Sequence, residues 1–521
     1  MAYLFPAIIH RIESYLIALD ATLLLHLDIR PDLALEAVTK DSDNSDDHSA
    51  EKINFQRGMG NNYERLEFLG DCFLKMATSI SLYSIFPDKD EHSYHVERMM
   101  LICNRNLCGN AVKLKLYEYI RSQSFSRRAW YPRGLVLLKG KTAMAPDSHK
   151  LGDKTIADVC EAIIGAALLT FKESGNMDNA VRAVTELVSS ENHRATTWSD
   201  YYKLYKKPRY QTALPTAMQL DLARQVEEVH SYHFHHPRLL RSAFVHPSYP
   251  FSYELIPNYQ RLEFLGDSLL DMACVNFLYH SFPAYDPQWL TEHKMAMVSN
   301  QFLGALCVEL GFHQHLLIFN PTFQKQIADY ITDITEARIQ AEDDAVRAGK
   351  PRKDYSPDYW TSVRQPPKCL PDIVEAYVGA IFVDSEYNYK EVERFFDEHI
   401  KWYFTDMSVY DTFANKHPTT FLSKFLQINM GCMDWSIIPR EIPNIDGSKP
   451  QVMAVVMVHD QIVANYKCES SRYAKVGAAK RALEILKGLP LPEFRAKYGC
   501  QCRVGEEGVE GVVEVDHGTA I

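Results

Sequence analysis

Nowhere in the 521 residues do about 18 apolar residues run together, so the sequence offers no membrane-spanning helix. The opening stretch Met1–Asp28 is apolar, but Arg11, Glu13, Asp20 and Asp28 interrupt it. No basic start leads into an unbroken apolar core, so it reads as an amphipathic helix rather than a secretory signal. A disulfide framework is missing too. The 11 cysteines are an odd, scattered set, and Cys72, Cys160, Cys274 and Cys307 stand inside apolar helical patterns. That usage suits buried thiols in a reducing, intracellular setting, cytoplasm or nucleus. Positive charge is short as well: 56 Lys and Arg against 67 Asp and Glu leave a net charge of −11. A uniformly basic polyanion binder is excluded, but local basic surface is not, and acids gathered for divalent cations would account for part of the excess.

What the chain does have is an internal repeat. Residues 62–71 read NYERLEFLGD and residues 258–267 read NYQRLEFLGD, differing only at Glu64 against Gln260, with a constant offset of 196. Each copy carries a second shared segment downstream, ADVCEAIIGA at 157–166 and PDIVEAYVGA at 371–380, where the offset has grown to 214. The surplus of about 18 residues falls in the charged stretch Ala337–Tyr359, which includes Lys350-Pro351-Arg352-Lys353 and reads as a helix extension and exposed loop. Leu66, Leu69, Phe73 and Met76 recur at helical steps, as do Ile163, Ile164, Ala167 and Leu168. With no long strand pattern before about Asp411, both repeats are expected to be all-α.

After Asp411 the texture changes. Thr419–Met430 reads as a helix, Trp435–Ile438, Val452–Val458 and Ile462–Tyr466 as short strands, and Ser471–Lys487 as an amphipathic helix. The expected division is 1–190 and 216–408 for the two repeats, 191–215 for a linker, 415–502 for an α-β-β-β-α module, and 503–521 for a Gly- and Glu-rich disordered tail.

The repeats carry acids at helical spacing. Glu64, Glu67 and Asp71 share one helix face, and so do Asp158 and Glu161; the second copy has Glu263 and Asp267, then Asp372 and Glu375. A single i, i+3 acid pair is usually a solvated face. These acids, however, sit within apolar sequence (LEFLGD) and occur twice, and unpartnered buried acids are costly. Two such faces meeting would form a pocket of hard oxygen ligands suited to Mg²⁺ or Mn²⁺.

The stretch ERLEFLGD, with a later D-x-x-E before A-x-x-G-A, resembles the ribonuclease III signature. Two tandem copies followed by an α-β-β-β-α module resemble the C-terminal half of a Dicer of the fungal Dicer-like kind, from roughly Phe5 to Cys502. The resemblance implies a mainly α chain whose two ribonuclease III domains pair within one monomer. It would cut both strands of double-stranded RNA by two-metal hydrolysis. Small duplexes for RNA silencing would result, with staggered ends, 5′-phosphates and 3′-hydroxyls. It also implies catalytic acids Glu67, Asp71, Asp158 and Glu161 in one centre and Glu263, Asp267, Asp372 and Glu375 in the other. The metal would fall to Glu67, Asp158, Glu161, Glu263, Asp372 and Glu375. Lys154 and Lys368, each four residues before an Asp, match a family lysine near the scissile phosphate. A catalytically silent RNA-binding scaffold is the rival reading; complete acid quartets in both copies weigh against it.

Three departures stand out. Gln260 removes one acid from the second copy. His246-Pro247-Ser248, typical of the domain, occurs only in the second copy, the first having VTKDS at 38–42. The helicase and PAZ segments of full Dicers are missing, so the chain reads as a truncated product or a fragment.

The C-terminal module resembles a double-stranded RNA-binding domain, with Arg472, Lys475, Lys480 and Arg481 available for phosphates. Ser471 and Arg472 replace part of the family's lysine pair, and the loop 442–450 has no histidine, so a structural role stands beside RNA binding. Further basic, aromatic stretches are Arg121–Lys141 (Arg127, Arg128, Trp130, Tyr131, Arg133) and Lys203–Arg209. Cys500-x-Cys502 with Cys432 and His459 would make a Cys₃His set for Zn²⁺. Spacing alone favours unrelated thiols; resemblance to fungal Dicers favours zinc, with Cys468 as the alternative ligand.

Overall fold

The computed structural model describes residues 4–40, 61–122, 125, 151–411, 413, 418–442, 451–468 and 471–502. The candidate residues Arg127, Arg128, Trp130, Tyr131 and Arg133, most of the loop 442–450, the tail 503–521 and the side chain of Arg472 lie outside the described parts. The chain divides into two compact units, Met1–Asp406 and Met407–Ile521.

Among the described residues, the regular elements of the first unit are helices. Its first half holds α1 (Phe5–Leu24), α2 (Pro31–Ala37), α3 (Glu64–Ile85), α4 (Glu91–Ile102), α5 (Asn104–Lys113), α6 (Asp153–Thr170) and α7 (Asp178–Val188). Two short helices, α8 (Trp198–Leu204) and α9 (Arg209–Thr212), lead into the second half. There follow α10 (Ala217–Val229), α11 (Pro237–Ser242), α12 (Gln260–Ser281), α13 (Pro287–Met297), α14 (Asn300–Glu309), α15 (Pro321–Arg347), α16 (Cys369–Asp384) and α17 (Tyr389–His399).

The repeat in sequence is a repeat in structure. Asp90 caps α4 by accepting from the Ser93 amide at 3.0 Å, and Asp286, 196 residues on, caps α13 by accepting from the Trp289 amide at 2.8 Å. Where the sequences part company, the backbone does not. Thr39 bridges Arg121, and Val245 bridges Leu317, both in parallel. Lys40 therefore occupies the place of His246, each donating its amide across the bridge, to Arg121 and Leu317 respectively. At Lys40 the frame matches that at His246, while residues 41 and 42, opposite Pro247 and Ser248, lie outside the described residues.

Within each half one crossing organises the core. Leu66, Leu69, Phe73, Met76 and Ile80 of α3 are fully buried, and α3 packs on α6 as α12 packs on α16. Both crossings bring backbone onto backbone. A Cβ on Gly70 would stand 1.8 Å from the Glu161 carbonyl oxygen, and one on Gly266 would stand 1.7 Å from that of Glu375. From the opposing helix, Gly165 and Gly379 approach the carbonyls of Leu66 and Leu262 in the same way. The glycines of LEFLGD and of A-x-x-G-A are thus the contact surface of the crossing. Between the halves, α3 packs against α12.

The second unit is a three-stranded antiparallel sheet, β1 (Trp435–Ile442), β2 (Gln451–Val458) and β3 (Gln461–Cys468), in the order β1-β2-β3. Helices α18 (Pro418–Lys424), α19 (Ser471–Leu486) and α20 (Leu491–Tyr498) accompany it. Val452, Ala454, Val456 and Val458 point into a core completed by Ala474, Ala478, Ala482, Leu486 and Phe494. Two features depart from the sequence reading. β1 runs four residues beyond Ile438, through Pro439, a residue that edge strands such as β1 tolerate. Helix α20 is an addition to the expected order. Pro490 at its cap, Pro492 in its first turn and Gly499 at φ 62° are start and stop signals that could have found it.

Candidate active sites

The crossing of α3 over α6 carries Glu67 on one helix and Asp158 and Glu161 on the other. Ligand atoms of the three lie within 4.8 Å of one another. The crossing of α12 over α16 does the same for Glu263, Asp372 and Glu375. Asp71 and Asp267 sit one helical turn further along α3 and α12, outside these tight groups; Asp71 is exposed and Asp267 half-buried.

Each group has a lysine. Lys154 Nζ lies 2.7 Å from Asp158 Oδ2 and 3.6 Å from Glu67 Oε1. Lys368 Nζ lies 2.7 Å from Glu263 Oε1 and 3.0 Å from both oxygens of Asp372. Each also has a tyrosine missed in the sequence reading: Tyr63 OH donates to Asp158 at 3.4 Å, and Tyr259 OH donates to Asp372 at 3.0 Å. Both belong to the repeated NY pair, so the repeat itself was the signal.

Crowding and burial change the acids. Burial, with Asp158 next, pushes Glu67 up to about 7. Burial and then Asp71, Glu67 and Asp158 push Glu161 up to about 9. In the second group burial and Asp372 push Glu263 up to about 8, and burial with Asp267, Asp372 and Glu263 carries Glu375 well above the usual carboxylate range. Burial likewise raises Asp372. Glu263 Oε2 is buried without a hydrogen-bond partner among the described residues. Acids held this close favour either protons or a cation between them.

The loss of an acid at Gln260 is met from the other half. Gln260 Nε2 donates to Glu91 Oε2 of α4, which sits close enough to Lys368 and Glu263 to act on both electrostatically.

In the second unit Cys432, His459, Cys500 and Cys502 bring one ligand atom each within 4.8 Å of the others. His459 Nε2 stands 3.6 Å from Cys432 Sγ and 3.9 Å from Cys502 Sγ. Bonds of about 2.3 Å to sulfur and 2.0 Å to nitrogen at a tetrahedral angle would put those atoms about 3.5 Å apart. The other ring nitrogen of His459 is held by Asp434 Oδ2 at 3.0 Å, as metal-ligating histidines commonly are. Helix α20 and Gly499 deliver the two tail cysteines, with the Cys500 amide donating back to Arg495. Cys468 stands apart from this group, packed against the module's core.

Of the basic candidates, Lys203 pairs with Asp200 at 2.9 Å and Lys207 lies 3.7 Å from Glu386. Arg481 donates to the Asn465 carbonyl at 3.0 Å and stacks over Tyr466. No described helix is long and apolar enough to cross a membrane.

The ribonuclease III domain family matches residues 64–172 and 260–386, each segment spanning one crossing, and the dsRNA binding domain family matches 410–488. Dicer-like protein 1 of Chaetomium globosum is 54% identical over 528 residues, 97% of this chain and 33% of that protein. Dicer-like protein 1 of Neurospora crassa is 52% identical over 549 residues, all of this chain and 35% of that protein. The chain belongs to the Dicer-like ribonuclease III family. It spans about a third of the length of these relatives. Among solved structures, Dicer from Giardia intestinalis matches at 14% identity and a TM-score of 0.37, covering 65% of this chain and 54% of that one. Each segment matched to the ribonuclease III domain, the domain of an endoribonuclease family, contains one acid group and its lysine.

Proposed function

We propose that this Dicer-like ribonuclease III chain is a divalent-metal-dependent endoribonuclease that cuts both strands of double-stranded RNA, one strand at each acid group. The duplicated cluster of three acids and a lysine carries the reading. The boundaries are 1–190 and 216–408 for the two catalytic domains, 191–215 for the linker and 415–502 for the RNA-binding module, and the working form is a monomer whose two domains pair.

Glu67, Asp158 and Glu161 hold the cation of the first centre, and Glu263, Asp372 and Glu375 that of the second; their crowding, and the unpartnered Glu263 oxygen, fit hard cations such as Mg²⁺ or Mn²⁺. Bound divalent ions supply an activated water and charge stabilisation for in-line phosphodiester displacement. Asp71, exposed, and Asp267, half-buried beside Lys75, each a turn away, would orient outer water or a second ion. Lys154 and Lys368, counter-ions to the acids in this structure, would be free to face the scissile phosphate with a cation held by the acids. Tyr63 and Tyr259 fix the Asp158 and Asp372 carboxylates. Staggered cuts give short duplexes with 5′-phosphates and 3′-hydroxyls, the material of RNA silencing. Lys475 and Lys480 of α19, with Arg472, contact the duplex backbone.

A long duplex labelled separately on each strand, incubated with Mg²⁺, tests this. Asp158→Asn should stop cutting of one strand and Asp372→Asn that of the other, each by about 10³-fold, the loss of several kcal/mol of charge stabilisation. The products of either variant should be nicked duplexes. Continued double-strand cutting by either would end the two-centre assignment.

The C-terminal module holds one structural Zn²⁺ on Cys432, His459, Cys500 and Cys502, tying the tail to the β2–β3 turn. Elemental analysis should find about one zinc per chain, lost in Cys500→Ser/Cys502→Ser together with the module's thermal transition. A zinc-free wild-type chain indifferent to chelator would exclude the site.

A further inference from the structure

The interface between α3 and α12 relates equivalent positions of the two halves, and most of what it does is symmetric. Arg65 donates to the carbonyls of Tyr279 and Tyr285, and its counterpart Arg261 donates to that of Pro87. Arg98 lies over Phe264 at 4.4 Å, and its counterpart Lys294 lies over Phe68 at 5.9 Å. Such contacts would serve a pairing of like domains as well as of unlike ones.

One pair of equivalent positions differs in sign. Lys75 and Asp271 are 196 residues apart, the offset of the repeat, and they face each other across the interface. Lys75 Nζ lies 3.1 Å from Asp271 Oδ2 and 3.0 Å from Asp267 Oδ2, while Lys294 Nζ lies 3.0 Å from Asp271 Oδ1. The side chains of Lys75 and Asp271 are 24% and 7% exposed, so Asp271 is shielded from water and Lys75 is mostly so.

Six charges meet here, from three pairs of equivalent positions: Asp71 and Asp267, Lys75 and Asp271, Arg98 and Lys294. First half against second half gives three cations and three acids. Two first halves would bring together Lys75, Arg98 and Asp71 twice over, four cations to two acids. Two second halves would give four acids, from Asp267 and Asp271, to two cations. Like pairing therefore leaves two uncompensated charges at an interface whose centre, Asp271, is buried.

We propose that Lys75 and Asp271 are a charge key that commits each ribonuclease III domain to an unlike partner. The first domain recognises a second domain, and the key bars association with another copy of itself. The linker helices make the partner in the same chain the nearer one: Trp198 Nε1 donates to the Tyr387 carbonyl at 2.9 Å, and Tyr202 OH donates to Glu386 at 2.8 Å. This concerns pairing and stands whether or not the acid groups cut RNA.

Lys75→Asp, Asp271→Lys and the double swap in the full chain test it by light-scattering mass and thermal melting. Either single change makes the cluster four to two, so each should lower the melting temperature; the double swap restores three to three and should recover at least half of the summed loss. Each single-swap chain also carries the partner the other lacks, so an equimolar mixture should give a species of twice the chain mass containing both. Double-swap protein that melts no higher than the worse single swap would overturn the proposal. So would a mixture that stays monomeric while the single swaps melt as wild type. If the single swaps only aggregate, recovery of a soluble monomer by the double swap supports the key, and its aggregation overturns it.

Discussion

The two acid centres share a helix crossing and differ in how tightly their lysine is held. In the first, Lys154 reaches one carboxylate at 2.7 Å and a second at 3.6 Å. In the second, Lys368 bridges two carboxylates at 2.7 and 3.0 Å, and the tyrosine contact is shorter, 3.0 against 3.4 Å. The second centre also borrows Glu91 from the first domain, whereas Pro287 stands at the equivalent place in the second. One frame thus supports two centres with different counter-ion economy, and the second depends on its neighbour.

The largest expected contrast comes from the lysines. Lys368→Ala should slow second-centre cutting by about 10²-fold, the scale of losing one preorganised charge-stabilising group. Lys154→Ala, with a single close contact, should cost its own strand about tenfold, or 1.4 kcal/mol. Equal losses on the two strands would remove the distinction.

A smaller effect concerns pH. Glu67, Glu161 and Glu263 are raised to about 7, 9 and 8, so all three bind protons more tightly folded than unfolded. Stability from these protonated acids is present below the unfolded carboxylate range and is lost as pH rises through the folded values. Without divalent metal, the first unit should melt lower as pH climbs from about 6 to 9. Mg²⁺ should cancel the trend, because the ionised acids then have a partner, and half-saturating Mg²⁺ should fall over the same range. A metal-free melting temperature flat across that window would show that the acids are not crowded.

The smallest effect tests the borrowed acid. Glu91→Gln should weaken Mg²⁺ dependence of the second centre a few-fold, by about 1 kcal/mol, and leave the first unchanged. A loss shared by both strands would place Glu91 in the frame rather than at one centre.

Much of this was legible in the sequence, for physical reasons. A ten-residue duplicate with acids at helical spacing marks both crossings, and β-rich runs bounded by turn residues mark β2 and β3. The tight acid groups comprise the six residues expected to hold metal, because i, i+3 spacing on two crossing helices leaves them little freedom. Asp71 and Asp267 fell outside, since a further helical turn carries a side chain past the crossing point. Glu91 reaching Gln260 was not legible: it depends on how one half is laid against the other, and nothing local to either residue announces it. β1 was read short because Pro439 is a stop signal anywhere but at a sheet edge.

The pairing helices α3 and α12 begin 196 residues apart. At about 5–20 residues per second of synthesis, the first domain waits roughly 10–40 s for its partner to emerge. During that interval on a polysome, copies of α3 on neighbouring nascent chains are close together, each with Phe68 and its apolar face uncovered. Lys75 and Arg98 then act as mutual repellents, and the face stays open until a chain's own Asp271 arrives to close it.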